Sequence, residues 1–192
     1  TKDFYDVNVL GTQVICELLK KSKKLKKIIY LSSLAVVNSK RCSIIKGKKQ
    51  GIPFSPYGRS KLKAEKIMEL FCLSQPQVQL YTLRVPIIYG PKQGELISAL
   101  FKQIRKGSIC VFGDGMNNRS MCFIKNLTDA IIVLIERKEK TPQSEILYIS
   151  DREQVTLNEL IYIIAKKMNL KVRIKHMPSA ICGLARAVFL FL

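Results

Sequence analysis

The sequence has no C-x-x-C pair, and its single histidine, His176, has no cysteine near it. The six cysteines (Cys16, Cys42, Cys72, Cys110, Cys122 and Cys182) are scattered along the chain. A zinc site and a secreted disulfide framework are therefore not expected, and no other metal site suggests itself. Set mostly among apolar residues, the cysteines read as buried thiols in a reducing, cytoplasmic compartment. No signal peptide opens the chain. There is no internal repeat and no low-complexity segment. The apolar run "ICGLARAVFLFL" at residues 181–192 is interrupted by Arg186 and is too short to span a bilayer. The chain does not begin with methionine, and both ends read as cuts in a longer protein.

Acidic residues are also scarce. They number 14 against 33 basic ones, for a formal charge of +19 over 192 residues. One reading is a polyanion partner: nucleic acid, an acidic membrane surface or a phosphorylated ligand. The reading preferred here is a lysine-rich bias spread over solvated faces. The lysines recur along the whole chain, and no aromatic residue interleaves with the densest run, "KKSKKLKK" (Lys20 to Lys27). Apolar residues make up 47% of the chain, so a packed core is expected.

The pattern alternates. Val7, Leu10, Val14 and Leu18 predict a helix from about Asp6 to Lys20. "KKIIYLSS" gives a strand, Ile28 to Leu31, apolar on both faces. A polar, basic loop closes with "GIPFSPYG", and a helix runs from about Tyr57 to Cys72. "QLYTLRVPIIYGP" holds a second buried strand, Leu80 to Val85, broken by Pro86. Further on come a helix from Leu96 to Lys106, a strand from Ile109 to Phe112, the turn "GDGMNN" and the strand "SMCFI". A helix from Leu127 to about Arg137 is expected with Asn126 as its cap. The strand "ILYIS" precedes a helix from Leu157 to Met168 capped by Thr156. This order predicts an α/β fold with a parallel sheet and helices on both faces. In such sheets ligands sit beyond the C-terminal strand ends. Ser32-Ser33, Pro86 to Tyr89 and the loop delivering Tyr57 all fall there.

Tyr57 stands four residues before Lys61, on one helical face. The spacing alone is weak, since Tyr162 and Lys166 repeat it within the amphipathic helix "LNELIYIIAKKM". That second pair reads as core plus a solvated lysine. Tyr57 has more around it: a serine ends the preceding strand, and Gly58 permits close backbone approach. A phenol titrates near about 10, and a fixed ammonium lowers that value. A serine could hold a substrate oxygen while Tyr57 takes or returns its proton. This suits oxidation of an alcohol to a ketone with hydride passing to a nicotinamide.

Five ordered motifs carry a resemblance: "NVLGT" from Asn8, "IIYLSSLAV" from Ile28, "SPYGRSKLKAE" from Ser55, "LRVPIIYGP" from Leu83 and "NRSMCFIKNLTDAI" from Asn118. From Asp3 to Leu170 the chain resembles the extended short-chain dehydrogenase/reductases. These are the NAD-dependent epimerase/dehydratases and their 3β-hydroxysteroid-dehydrogenase-like relatives. The resemblance implies a Rossmann-like sheet over residues 1–90, to which about 119–150 return, and a small substrate-binding lobe in the rest of 91–192. It implies catalytic roles for Ser33, Tyr57 and Lys61. Asn8, Ser33, Tyr57, Lys61 and Pro86 would contact NAD or NADP, and Arg119 and Tyr89 the substrate.

Two departures qualify it. The family's G-x-x-G-x-x-G turn, which seats pyrophosphate on a helix N-terminus, does not occur here. The chain therefore reads as a fragment lacking the first half of the dinucleotide-binding domain, inactive by itself. The acidic pair that follows the catalytic Ser/Thr in 4,6-dehydratases is replaced by Leu34 and Ala35, which argues against dehydration. The expectation is an epimerase or dehydrogenase acting on a nucleotide sugar. A 3β-hydroxysteroid-type dehydrogenase is the runner-up, and an inactive fragment or polyanion-binding module is the reading from another class. A homodimer is admitted, nucleic acid is not expected, and a membrane enters only through a C-terminal continuation.

Overall fold

The computed structural model describes residues 2–37, 53–91, 95–138 and 143–178. Most of the long basic loop, Cys42, Cys182 and the apolar run from residue 181 lie outside them. In chain order the elements begin with α1 (Lys2–Tyr5), a π-helical turn (Asp6–Leu10), α2 (Gly11–Leu19), β1 (Lys27–Ser33), a 3-10 turn (Leu34–Val36) and α3 (Pro56–Leu73). Then follow β2 (Gln79–Val85), β3 (Ile87–Tyr89), α4 (Glu95–Arg105), β4 (Ser108–Phe112), β5 (Asn118–Arg119) and β6 (Met121–Phe123). The last are α5 (Ile124–Glu136), β7 (Ser144–Tyr148), β8 (Val155–Thr156), α6 (Leu157–Lys167) and β9 (Arg173–Met177). They form two compact units, residues 1–87 with 122–150, and residues 88–121 with 151–192.

The first unit is built on a parallel sheet in the order β1-β2-β7. Side chains alternate across a strand, and both faces are covered. Ile28, Tyr30 and Leu80 turn toward Cys16 of α2 and Met68, Phe71 and Cys72 of α3. Ile29, Tyr81, Leu83, Val85 and Leu147 turn toward Leu127, Ile131 and Leu134 of α5. β2, in the middle of the sheet, is buried on both faces and reads as a continuous apolar run, whereas β1, at the edge of the described sheet, is only half-buried, with Leu31 43% exposed. The α/β architecture with helices on both faces is the one expected from the sequence.

α3 begins where the chemistry of its first residues dictates. Ser55 accepts from the Gly58 amide at 2.9 Å, and Pro56 takes the first helical position. One sequence expectation needs correction. α5 starts at Ile124, three residues before the predicted start, so Asn126 lies in its first turn and is not its cap. Phe123 is the capping position and makes no side-chain cap bond. Helical bonding is already established there, with Thr128 Oγ1 donating to the Ile124 carbonyl at 2.9 Å and Lys125 pairing with Asp129 at 2.8 Å. On the N-terminal helical stretch, Val7, Leu10, Val14 and Leu18 are 44–72% exposed. The inward face is Val9, Thr12 and Cys16.

In the second unit β4 pairs in parallel with β9, Ile109 opposite Ile174, and α4 and α6 pack on the sheet through Leu100, Ile104, Ile161 and Ile164. Thr156 caps α6 in a full capping box with Glu159. Hydrogen bonds from the Thr156 backbone and hydroxyl hold the Glu159 carboxyl below its ordinary value. The box is therefore intact at neutral pH and weakens as pH falls through that lowered value. Among the described residues no helix is long and apolar enough to cross a membrane.

Candidate active site

Ser33 is the last residue of β1. Its Oγ accepts from the Ala35 amide at 3.2 Å, which opens the 3-10 turn. The first turn of α3 lies directly against that turn. A Cβ added to Gly58 would stand 2.2 Å from the Ala35 carbonyl oxygen, a contact with rigid backbone. Only glycine allows this approach. Two elements that are distant in sequence are thereby held together, one ending in Ser33 and the other carrying Tyr57 and Lys61.

Lys61 Nζ donates to the Leu31 carbonyl of β1 at 3.1 Å and sits 5.4 Å from the centre of the Tyr30 ring. Burial lowers the Lys61 pKa, and the nearby Glu65 carboxylate works in the opposite direction. Tyr30 is the mirror case. Burial pushes its phenol up to about 12, against a hydrogen bond to Thr12. It stays neutral at any ordinary pH.

Tyr57 occupies the first turn of α3, and its ring meets Phe4 edge-on with centroids 5.4 Å apart. Its carbonyl accepts from Ser60 Oγ at 2.8 Å, and Ser60 Oγ in turn accepts from Asn8 Nδ2 at 3.0 Å. Thr12 Oγ1 donates to the Asn8 carbonyl at 2.6 Å. Asn8 is thus tied to the start of α3 through Ser60. The register Ser33↔Val85 sets Pro86 just past the level of Ser33 on the neighbouring strand.

One buried group was not singled out from the sequence. Arg84 on β2 has no exposed surface, and Glu65, one turn beyond Lys61, is 6% exposed. Glu65 accepts from Arg84 Nε at 3.1 Å and Nη2 at 2.7 Å, and also from Ser32 Oγ. Arg84 Nη1 donates to the Tyr148 hydroxyl at 2.9 Å. Burial works against the Arg84 charge, but the bonds to Glu65 and Tyr148 outweigh it and raise its pKa. The pair ties α3 to β1, β2 and β7. An arginine inside the apolar strand "LYTLRV" was its available signal, because a buried cation requires an anion.

The second unit holds the other two predicted residues. Arg119 lies on β5, opposite Val155 of β8. Rotating the Asn117 amide by 180° turns its oxygen toward Arg119, to accept from Nε at 3.0 Å and Nη2 at 3.1 Å. Arg119 and Tyr89 line one cavity of about 560 Å³ inside this unit. Among the described residues no group of histidine, cysteine, aspartate and glutamate could hold a metal ion.

The family model described as "NAD dependent epimerase/dehydratase family" matches residues 1–150. Among curated proteins, the chain is 27% identical over 179 residues to N-acetyl-alpha-D-glucosaminyl-diphospho-ditrans,octacis-undecaprenol 4-epimerase of Escherichia coli, covering 93% of this chain and 53% of that protein. It is 28% identical over 163 residues to UDP-glucose 4-epimerase of Vibrio cholerae, covering 82% and 48%. The chain spans about half the length of these relatives. Among solved structures, UDP-glucuronic acid 4-epimerase from Bacillus cereus in complex with NAD matches with a TM-score of 0.81 at 24% identity, over 100% of this chain and 65% of that one. That last likeness is one of fold.

Proposed function

This chain belongs to the NAD dependent epimerase/dehydratase family, and we propose that its protein is an NAD(P)-dependent epimerase or dehydrogenase that oxidises a secondary alcohol of a diphosphate-linked sugar. A nucleotide sugar is one candidate, as the name of the V. cholerae relative suggests. A polyprenyl-diphosphate sugar is the second, favoured by the name of the E. coli relative. No relative named above is a steroid enzyme.

The observation that supports this reading best is the lock of Gly58 against Ala35, with Lys61 bonded to the Leu31 carbonyl. It fixes the helix bearing Tyr57 and Lys61 to the strand that ends in Ser33. In the proposed mechanism Ser33 Oγ holds the substrate oxygen. Tyr57 takes the hydroxyl proton as the carbonyl forms and returns it in the reverse direction. Lys61 lies one helical turn beyond Tyr57 on α3. A nicotinamide cofactor held there would supply the hydride acceptor and donor. Leu34 and Ala35 offer no acid for loss of water, which favours epimerisation or dehydrogenation.

The residues present fit one end of the cofactor. Lys61 has three donor protons, one engaged by Leu31, and with Asn8, Ser33 and Tyr57 it forms a polar set suited to ribose hydroxyls and a carboxamide. No G-x-x-G-x-x-G lies within these 192 residues to seat the pyrophosphate. The 192-residue chain by itself is expected to bind NAD with millimolar or weaker affinity in calorimetric titration. Micromolar binding would contradict this division of labour.

Arg119 carries the proposed grip on the diphosphate, because a guanidinium is a planar fork that matches phosphate oxygens and stays charged. In the active enzyme, Arg119→Ala should remove a charge-assisted contact worth about 1.5–3 kcal/mol. The loss should appear as a KM raised about ten- to a hundredfold with kcat largely kept, since the contact forms in ground and transition states alike. KM for an uncharged sterol alcohol should not move. An unchanged KM for a good sugar-diphosphate substrate would remove Arg119 from the site.

A further inference from the structure

The cavity of the second unit bears on what lies beyond the diphosphate. We propose that it receives an isoprenoid chain, so that the sugar's carrier is a polyprenyl diphosphate and not a nucleoside diphosphate. This rests on the diphosphate-linked reading above and names the substrate class within it. At about 560 Å³ the cavity is of ligand-binding size, within the range of roughly 300–1,000 Å³ usual for small-molecule sites. Its walls are apolar: Ile97 and Phe101 from α4, Met121 from β6, and Leu160, Ile163 and Ile164 from α6. Among its lining side chains there is no amide, and the one hydroxyl is that of Tyr89. A nucleobase carries N–H and C=O groups along its edge, and the side chains of the apolar walls offer them no partner. An isoprenoid chain has no such groups and gains from every carbon that leaves water.

The charged groups at the same cavity suit the other half of such a ligand. Arg119, Arg152 and Lys167 line it, against the carboxylates of Asp151 and Glu153. Arg152 and Lys167 are exposed, so their charges meet water where a diphosphate would sit. An apolar pocket with a net cationic lining fits a molecule with an apolar tail and an anionic head.

Each buried methylene is worth about fourfold in affinity, so chain length is the variable to test. The lining residues named here all belong to the second unit, and the active enzyme is titrated calorimetrically with inorganic diphosphate, with dimethylallyl, geranyl and farnesyl diphosphate, and with UDP. Farnesyl diphosphate is expected to bind at least about tenfold tighter than dimethylallyl diphosphate, and UDP no tighter than inorganic diphosphate. Ile163 is 49% exposed on α6, so Ile163→Gln is compatible with folding. That variant should flatten the chain-length series without changing the affinity for inorganic diphosphate. Arg119→Ala should weaken every member alike. A flat series in the unsubstituted enzyme, a rise that Ile163→Gln leaves intact, or UDP as the tightest ligand would each overturn the proposal. Tyr57→Phe should leave all these titrations unchanged, so this assignment and the oxidoreductase reading can fail separately.

Discussion

Arg84→Ala is expected to destabilise the fold by about 3–5 kcal/mol, out of a total that for such domains is about 5–15 kcal/mol. The arginine is fully buried, and its removal strands the Glu65 carboxylate, 6% exposed, with the Ser32 hydroxyl as its remaining side-chain hydrogen-bond partner in this network. It also takes the Arg84 partner from the Tyr148 hydroxyl. The larger part of the loss is the cost of an uncompensated buried charge, not the worth of the pair. Replacing both residues by methionine should therefore cost less than Arg84→Ala does, because an apolar pair leaves no charge behind. The Lys125–Asp129 pair is the contrast. Its side chains are 71% and 54% exposed, and Lys125→Ala should change stability by no more than about 1 kcal/mol. Urea denaturation reads all three variants. An Arg84→Ala loss within about 1 kcal/mol would mean that the network does not clamp α3 to the sheet.

Tyr57→Phe is expected to lower kcat by about a hundred- to ten-thousandfold, the range that a positioned acid–base group supplies. The substitution keeps the ring, and with it the edge-on contact to Phe4. The Gly58–Ala35 contact and the Lys61–Leu31 hydrogen bond do not involve the phenol oxygen, so folding and cofactor affinity should be nearly unchanged. Tyr162→Phe is the matched control. Tyr162 has the same spacing to a lysine, but it is 56% exposed on α6, and the strand-end Thr156 before that helix is engaged in its capping box. Its loss should leave kcat within about twofold, as expected of a surface substitution with no role. Steady-state rates on the active enzyme compare the two. Equal losses at both positions would contradict the choice of pair.

What could be read from the sequence was local, or followed from a strand being buried on both faces. β2 is apolar on both sides because helices cover both sides, so its run is unbroken, and β1 carries a similar run although it is only half-buried at the sheet edge. The starts of α3 and α6 were marked by Ser55-Pro56 and by Thr156 with Glu159. Asn126 misled because a good capping residue in a first turn looks the same as one at the cap, and β6 feeds α5 without a polar residue between them. The apolar stripe from Val7 to Leu18 gave a helix but not its inward face. Periodicity reports that a face exists and not what covers it.

At the candidate site, Ser33, Tyr57 and Lys61 were visible as residue types at strand-end and helix-start positions. The contacts that hold those positions were not. The closeness of Gly58 to the Ala35 carbonyl and the bond from Lys61 to the Leu31 carbonyl join residues more than twenty apart in the chain. The Glu65–Arg84 pair spans 19. Such pairings depend on how strands and helices dock, which one chain's residue pattern does not encode position by position. Arg119 and Tyr89 sharing one cavity is of the same kind.

The central claim is that Tyr57 moves only the proton on oxygen, and that no residue of this chain takes the hydrogen on carbon. Running the active enzyme to equilibrium in D₂O and analysing the product by mass spectrometry and NMR tests this directly. The carbon-bound hydrogen at the oxidised and re-reduced centre should be retained, with no deuterium incorporated there. Deuterium at that carbon would mean that a side chain removes it as a proton, and would contradict the hydride mechanism assigned to Ser33, Tyr57 and Lys61.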